Sequence, residues 1–98
     1  MHLSKSLTVP LFVPGHRPEL LPKAAASGTD AVIMDLEDAV SEADKPAAHE
    51  ALAERSALPV PLVVRCNGFG SMWFEKDLEV LVKSPPDMVM LPKAESAS

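Results

Sequence analysis

The sequence has a single cysteine, Cys66, which excludes an internal disulfide framework and a CxxC zinc site. Basic residues are few: 9 Lys and Arg stand against 14 Asp and Glu, for a formal net charge of −5. A nucleic-acid surface needs concentrated Lys and Arg, which this balance does not supply. No apolar run approaches the roughly 18 residues of a membrane span. The opening Met1-His2-Leu3-Ser4-Lys5 leads into a stretch broken by Pro10 and Pro14, unlike the apolar core of a signal peptide. Neither of the glycine-rich phosphate loops occurs, and no serine nucleophile elbow is present, so nucleotide binding and serine hydrolysis lose their main support. These absences predict a reducing, cytoplasmic setting, with no nucleic acid and no membrane as partner.

What is present is an ordinary globular composition, 47% apolar and 23% charged over 98 residues, which fits one domain or part of one. Ten prolines stand at segment ends rather than in a cluster, which predicts ordered turns. Four short apolar runs start at residues 11, 31, 62 and 88: Leu11-Phe12-Val13, Ala31-Val32-Ile33-Met34, Leu62-Val63-Val64 and Met88-Val89-Met90-Leu91. Near-continuous rather than alternating runs predict parallel strands buried on both faces. The segments between them have room for crossover helices. Pro18, Leu20, Leu21, Ala24 and Ala25 predict a helix ended by Gly28, with Pro22 forcing a late start or a strained first turn. Ser41 or Asp44 can cap a second helix, with Pro46 in its first turn and Pro59 closing the segment. Phe74, Leu78, Leu81 and Val82 form one apolar stripe on a third, stopped by Pro85-Pro86. The order β-α-β-α-β-α-β suits either an open doubly wound sheet or part of a (β/α)8 barrel.

Each predicted strand ends in polar or turn-forming residues, at the end of the sheet where both architectures place their ligands. Asp35, Glu37 and Asp38 put three carboxylates within four positions. Such a run can hold a hard cation directly or through water, anchor a cationic side chain, or form a solvated acidic loop. Arg65 directly follows a buried run and needs an anionic partner, because an unpaired guanidinium in a dry site is costly. A substrate carboxylate would satisfy it bidentately; so would a structural pair with Glu37 or Asp38. Lys93 and Glu95 read as a further ion pair. His16 sits beside a Gly turn and is expected to be solvated, as is His49 on its helix. Cys66 should face away from Arg65. Trp73 and Phe74 read as core or interface.

Leu11-Phe12-Val13-Pro14-Gly15-His16-Arg17-Pro18-Glu19, Lys23-Ala24 and Ser27 through Val40 together resemble the citrate lyase β-subunit-like family of the HpcH/HpaI aldolase group. The resemblance continues through Lys45, Val64-Arg65-Cys66-Asn67-Gly68, Asp77-Leu78 and Met90 through Ser96. It implies an α/β fold: the N-terminal half of a (β/α)8 TIM barrel over residues 1–98, truncated after the fourth strand. The implied activity is that of a carbon–carbon lyase, in which Mg²⁺-dependent chemistry cleaves or forms a 3-hydroxyacyl thioester of the citryl- or malyl-CoA type. By resemblance, Arg65 binds the substrate carboxylate, and Phe12, Arg17 and Lys23 line the CoA site. Glu37 and Asp38 lie near the metal, reaching it through water, while its direct ligands and the catalytic residues fall on later strands. The partner is an acyl-CoA or acyl-carrier thioester, and a homo-oligomer is expected. The 98 residues alone are expected to be inactive and to self-associate. The chain departs from the family pattern at Thr8-Val9, where Arg-Ser is usual, and at Leu20, where a second arginine often stands. Two other readings are a non-catalytic remnant that acts in assembly or binding, and a flavodoxin-like open sheet with an acidic metal site.

Overall fold

The structure, a computed structural model, describes residues 10–92. Strands β1 (Leu11–Pro14), β2 (Val32–Asp35), β3 (Leu62–Arg65) and β4 (Met88–Met90) alternate with helices α1 (Leu20–Ala25), α2 (Lys45–Glu54) and α3 (Phe74–Lys83). A 3-10 turn over Glu42–Asp44 leads into α2. Every strand pairing is parallel, and the sheet order is β1-β2-β3-β4.

That order settles the architecture. Parallel crossovers are right-handed, so a sheet that grows always in one direction receives every helix on the same face. A doubly wound sheet instead reverses direction at a switch point and carries helices on both faces. Side-chain alternation agrees with the first arrangement. Val13, Val32, Met34, Leu62 and Val64 point to one face and share a core with residues of all three helices, among them Leu21, Leu52 and Leu81. Ile33, one position out of phase, is buried but stands outside that core. Its lateral partners are Phe12 and Val63, and Met88 pairs with Val63 in turn; Phe12 and Met88 are exposed. The flavodoxin-like alternative is therefore excluded. Burial of strands on both faces holds only for β2 and fails for β1 and β4, because among the described residues no helix covers the second face.

The helix boundaries follow local chemistry. α1 starts late, at Leu20, so Pro22 falls in the first turn, where its missing N–H is not needed. Gly28 follows with φ of 94°, a left-handed conformation that favours glycine. Pro46 sits in the first turn of α2 as expected. Arg55, just after α2, donates to the carbonyls of Leu52, Ser84 and Pro85, which ties the C-terminal ends of α2 and α3 together. The stripe on α3 is turned from its expected position. Leu81 is buried, but Leu78 and Val82 are exposed, and Asp77 faces inward in their place. Asp77 is there met by buried polar partners, His49 and Asn67.

One close approach fixes the start of the rim. The Gly15 N–H donates to the Asp35 carbonyl at 2.8 Å, continuing the β1–β2 ladder past the last strand residue. A Cβ at Gly15 would lie 2.9 Å from that backbone oxygen and 3.0 Å from both Ala48 Cβ and Leu36 Cδ2. A backbone oxygen cannot swing aside as a side-chain tip can. Gly15→Ala is therefore expected to destabilise the protein by about 2 kcal/mol through overpacking. Gly70→Ala, at a position with no neighbour within 4 Å, is the matched control and should be near neutral. Urea unfolding of the two variants against the parent checks the difference.

Candidate functional site

All four strands end at one rim, where Pro14, Asp35, Arg65 and Met90 are lateral neighbours. Alternation from Ile33 and Val63 puts the Asp35 and Arg65 side chains on the helix-free face. There they form a two-pronged pair. Arg65 Nε donates to Asp35 Oδ1 and Arg65 Nη2 to Oδ2, each at 2.9 Å. The same carboxylate accepts the backbone N–H of Glu37 at 2.9 Å and of Ala39 at 3.0 Å. Asp35 is thus the main partner of Arg65, a pairing that the sequence reading gave to a substrate, Glu37 or Asp38. Glu37 stands second, its Oε1 3.7 Å from Arg65 Nε. Asp38 is exposed and forms no ion pair among the described residues.

A guanidinium has five N–H donors in a planar fork. Asp35 occupies the edge formed by Nε and Nη2, while the edge formed by Nη1 and Nη2 points elsewhere. Among the described residues nothing hydrogen-bonds Nη1. Arg65 Cζ stands over the Phe12 ring, 5.3 Å from its centroid, within reach of a cation–π contact. Lys45, at the start of α2, is buried beneath the acidic loop, and its Nζ donates to the carbonyls of Leu36, Glu37 and Val40.

The charges of the rim follow from these contacts. Burial works to raise the Asp35 pKa, but the hydrogen bonds from Arg65 and from the Glu37 and Ala39 amides outweigh it and hold the carboxyl below its ordinary value. Arg65 is pushed further up, chiefly by its hydrogen bond to Asp35. Glu37 is raised, first by burial and then by repulsion from Asp38, against the opposing pull of Arg65. A cation at the rim would relieve that repulsion. Among the described residues no group of three His, Cys, Asp or Glu converges to hold a metal ion. Glu37 and Asp38 are hard oxygen acceptors suited to the waters of a hydrated Mg²⁺, and Asp35, with two hydrogen bonds on each oxygen, is not.

The remaining candidates lie apart. Arg17 is exposed and pairs with Glu19 at 2.6 Å, and Lys23 is exposed on α1. Among the described residues neither is bonded to the Arg65 cluster. His16 is half-buried, with Nε2 3.8 Å from Asp44 Oδ2. Thr8, Val9, Lys93 and Glu95 lie outside the described residues. His49 was expected in solvent but is buried on Asp77, with Nε2 2.5 Å from Oδ1. The other Asp77 oxygen takes the Asn67 backbone N–H at 2.6 Å and its side-chain amide at 2.7 Å. His49 lies three positions before Leu52, and Asp77 three after Phe74 and four before Leu81, so helical spacing sets both on the inward faces and only their polarity read as surface. Cys66 faces the core as expected, and burial, followed by the nearby Asp77 charge, raises its thiol pKa.

Comparison with known proteins places this geometry among relatives. Residues 8–98 match the HpcH/HpaI aldolase/citrate lyase family. The citrate lyase subunit beta-like protein of Mycobacterium tuberculosis is 51% identical over 88 residues, covering 90% of this chain and 32% of that protein. The (3S)-malyl-CoA thioesterase of Cereibacter sphaeroides is 34% identical over 94 residues, covering 90% of this chain and 32% of that protein. A crystal structure of CitE from M. tuberculosis in complex with magnesium, acetoacetate and coenzyme A superposes with a TM-score of 0.81 at 49% identity, covering 90% of this chain and 33% of that one. The chain therefore spans about a third of the length of the relatives it matches.

The two displaced carboxyls have opposite signs in the stability of the fold. Asp35 has a depressed folded pKa, so its contribution is full above the ordinary aspartate pKa and is lost as pH falls through the folded value. Asp35→Asn should cost on the order of 3 kcal/mol at neutral pH, because it leaves Arg65 half-buried without its counter-charge. The gap to the parent should narrow in acid. Glu37 has a raised folded pKa, so its charged form opposes folding once pH passes that value. Glu37→Gln should be neutral or stabilising at neutral pH. Denaturant titrations across pH read both, and a Glu37→Gln variant as unstable as Asp35→Asn would contradict the assignment.

Proposed function

Since the chain belongs to the HpcH/HpaI aldolase/citrate lyase family, we propose that it supplies the carboxylate-binding rim of a carbon–carbon lyase acting on 3-hydroxyacyl thioesters of the citryl- or malyl-CoA type. In the cleavage direction the bond between C2 and C3 of the acyl chain breaks. C3 leaves as a carbonyl, and the thioester fragment keeps the electron pair and takes up a proton.

The observation that carries this reading is Arg65. Asp35 holds one edge of its guanidinium at the ligand end of the strands, and among the described residues nothing hydrogen-bonds Nη1 on the other edge. A substrate carboxylate fits that other edge with two parallel hydrogen bonds. Fixing the carboxylate orients the reacting bond, and the Phe12 ring adds a cation–π contact to the guanidinium. Glu37 and Asp38 would accept hydrogen bonds from the waters of Mg²⁺, the family cofactor. That ion, when bound, polarises the keto oxygen and stabilises the developing alkoxide. The exposed cations Arg17 and Lys23 suit the phosphates of a CoA carrier, with Phe12 on the wall between carrier and rim. A buried lone thiol suits the cytoplasm, and the proposed working form is a homo-oligomer.

Hydrolysis of the thioester is the second reading, favoured by the relative that bears the name of a malyl-CoA thioesterase. Products separate the two: a lyase yields an acyl-CoA and a 2-oxoacid, whereas a hydrolase yields free CoA and the intact hydroxyacid. Arg65→Lys in the full-length protein should lower kcat/KM by roughly 10- to 100-fold, since a lysine cannot keep the fork on Asp35 while gripping a second carboxylate. Kinetics unchanged by Arg65→Lys would reduce Arg65 to a partner of Asp35.

A further inference from the structure

We propose that Lys45 is a positioning residue for the acidic rim: its ammonium fixes the path of the loop that presents Glu37 and Asp38, and thereby sets how tightly the protein holds Mg²⁺. The inference rests on the proposed function for the identity of the ion.

Lys45 lies on α2, nine positions after Leu36, and is 6% exposed. Its Nζ donates to the carbonyls of Leu36 at 2.9 Å, Glu37 at 3.1 Å and Val40 at 3.0 Å. An ammonium has three protons, so each is used. None of the three acceptors is a carboxylate, so Lys45 is not half of an ion pair. Burying a lysine head costs several kcal/mol unless its hydrogen bonds are made in full. A side chain needed only to fill this space would be apolar. What the ammonium supplies is convergence, since it draws three carbonyls of one short loop towards a single point.

The opposite polarity of the same loop is held by Asp35, whose carboxylate takes the N–H groups of Glu37 and Ala39. A cation gathers the carbonyls, an anion gathers the amides, and the backbone between them has little freedom left. The Glu37 carboxylate then stands beside Arg65, while Asp38 reaches solvent. Three carboxyls in four residues repel one another, and the Lys45 charge under the loop offsets part of that repulsion. Groups that orient the partners of a metal commonly change its affinity by about 10- to 100-fold when removed.

The test uses the full-length protein with Mn²⁺ as the probe, read by electron paramagnetic resonance without substrate. Amide exchange over residues 36–40 is followed by mass spectrometry. Lys45→Met removes the charge at similar volume, and Lys45→Gln keeps two N–H donors. We expect Mn²⁺ affinity to fall at least about tenfold in Lys45→Met and less in Lys45→Gln, with faster exchange over residues 36–40 in both. At saturating Mg²⁺ the KM for the thioester should stay within about twofold of the parent, because Arg65 keeps its hold on Asp35. Unchanged Mn²⁺ affinity in a folded Lys45→Met overturns the proposal. So does failure of both variants to fold, which would make Lys45 a stability residue alone. A parent protein that binds no Mn²⁺ counts against the functional reading itself, and the parent titration shows this before any variant is compared.

Discussion

The rim depends on one carboxylate. Asp35 accepts four hydrogen bonds, two from Arg65 and two from the backbone of the loop that follows it. That filling has two effects. It locks Arg65 in one orientation, and it leaves Asp35 no lone pair with which to do chemistry. Under the proposed function, reactivity at the rim falls to the side chains around Asp35: Arg65, and Glu37 and Asp38 beyond it. The pair spans β2 and β3, so the cluster sits on sheet backbone rather than on loops alone.

Sheet order places this cluster where it can act. Growth in one direction, from β1 to β4, sends the helices to one face and leaves the other to the side chains of Phe12, Ile33, Val63 and Met88. In a barrel that face is the interior, and its C-terminal end holds the ligand site. The in-register alignment of Pro14, Asp35, Arg65 and Met90 then becomes a continuous arc. Gly15 is part of the same construction, because any larger residue there would push the β1 loop away from the Asp35 carbonyl.

Much of this was legible in the sequence. The four strands were marked by dense apolar runs, and Arg65 stood out because a charge after a buried run demands a partner. The identity of that partner was not legible. Asp35 and Arg65 are 30 positions apart, and only the parallel register between β2 and β3 makes them neighbours. The acidic triplet reads as three like groups, yet its members diverge into a saturated anchor, a strained acid and a solvated one. His49 and Asp77 escaped for a different reason. Each lies at helical spacing from buried apolar residues, but its polarity read as a surface position, and inside the fold the two pair with each other. On α3, Asp77 shares the buried face with Leu81 while Leu78 and Val82 are exposed. Periodicity reports hydrophobic burial and is silent about polar groups that satisfy one another across 28 residues.

Cys66 adds a property unrelated to catalysis. It is the only cysteine in the sequence, lies wholly inside the core, and has a thiol pKa raised by burial and by Asp77. Reagents that modify cysteine attack the thiolate, so in the native state this sulfur is both unreachable and protonated. It becomes reactive when the core around it opens to solvent. The rate of its alkylation then measures opening of the core on the helix side of the sheet, opposite the face that carries Arg65, giving the protein an intrinsic clock for its own unfolding.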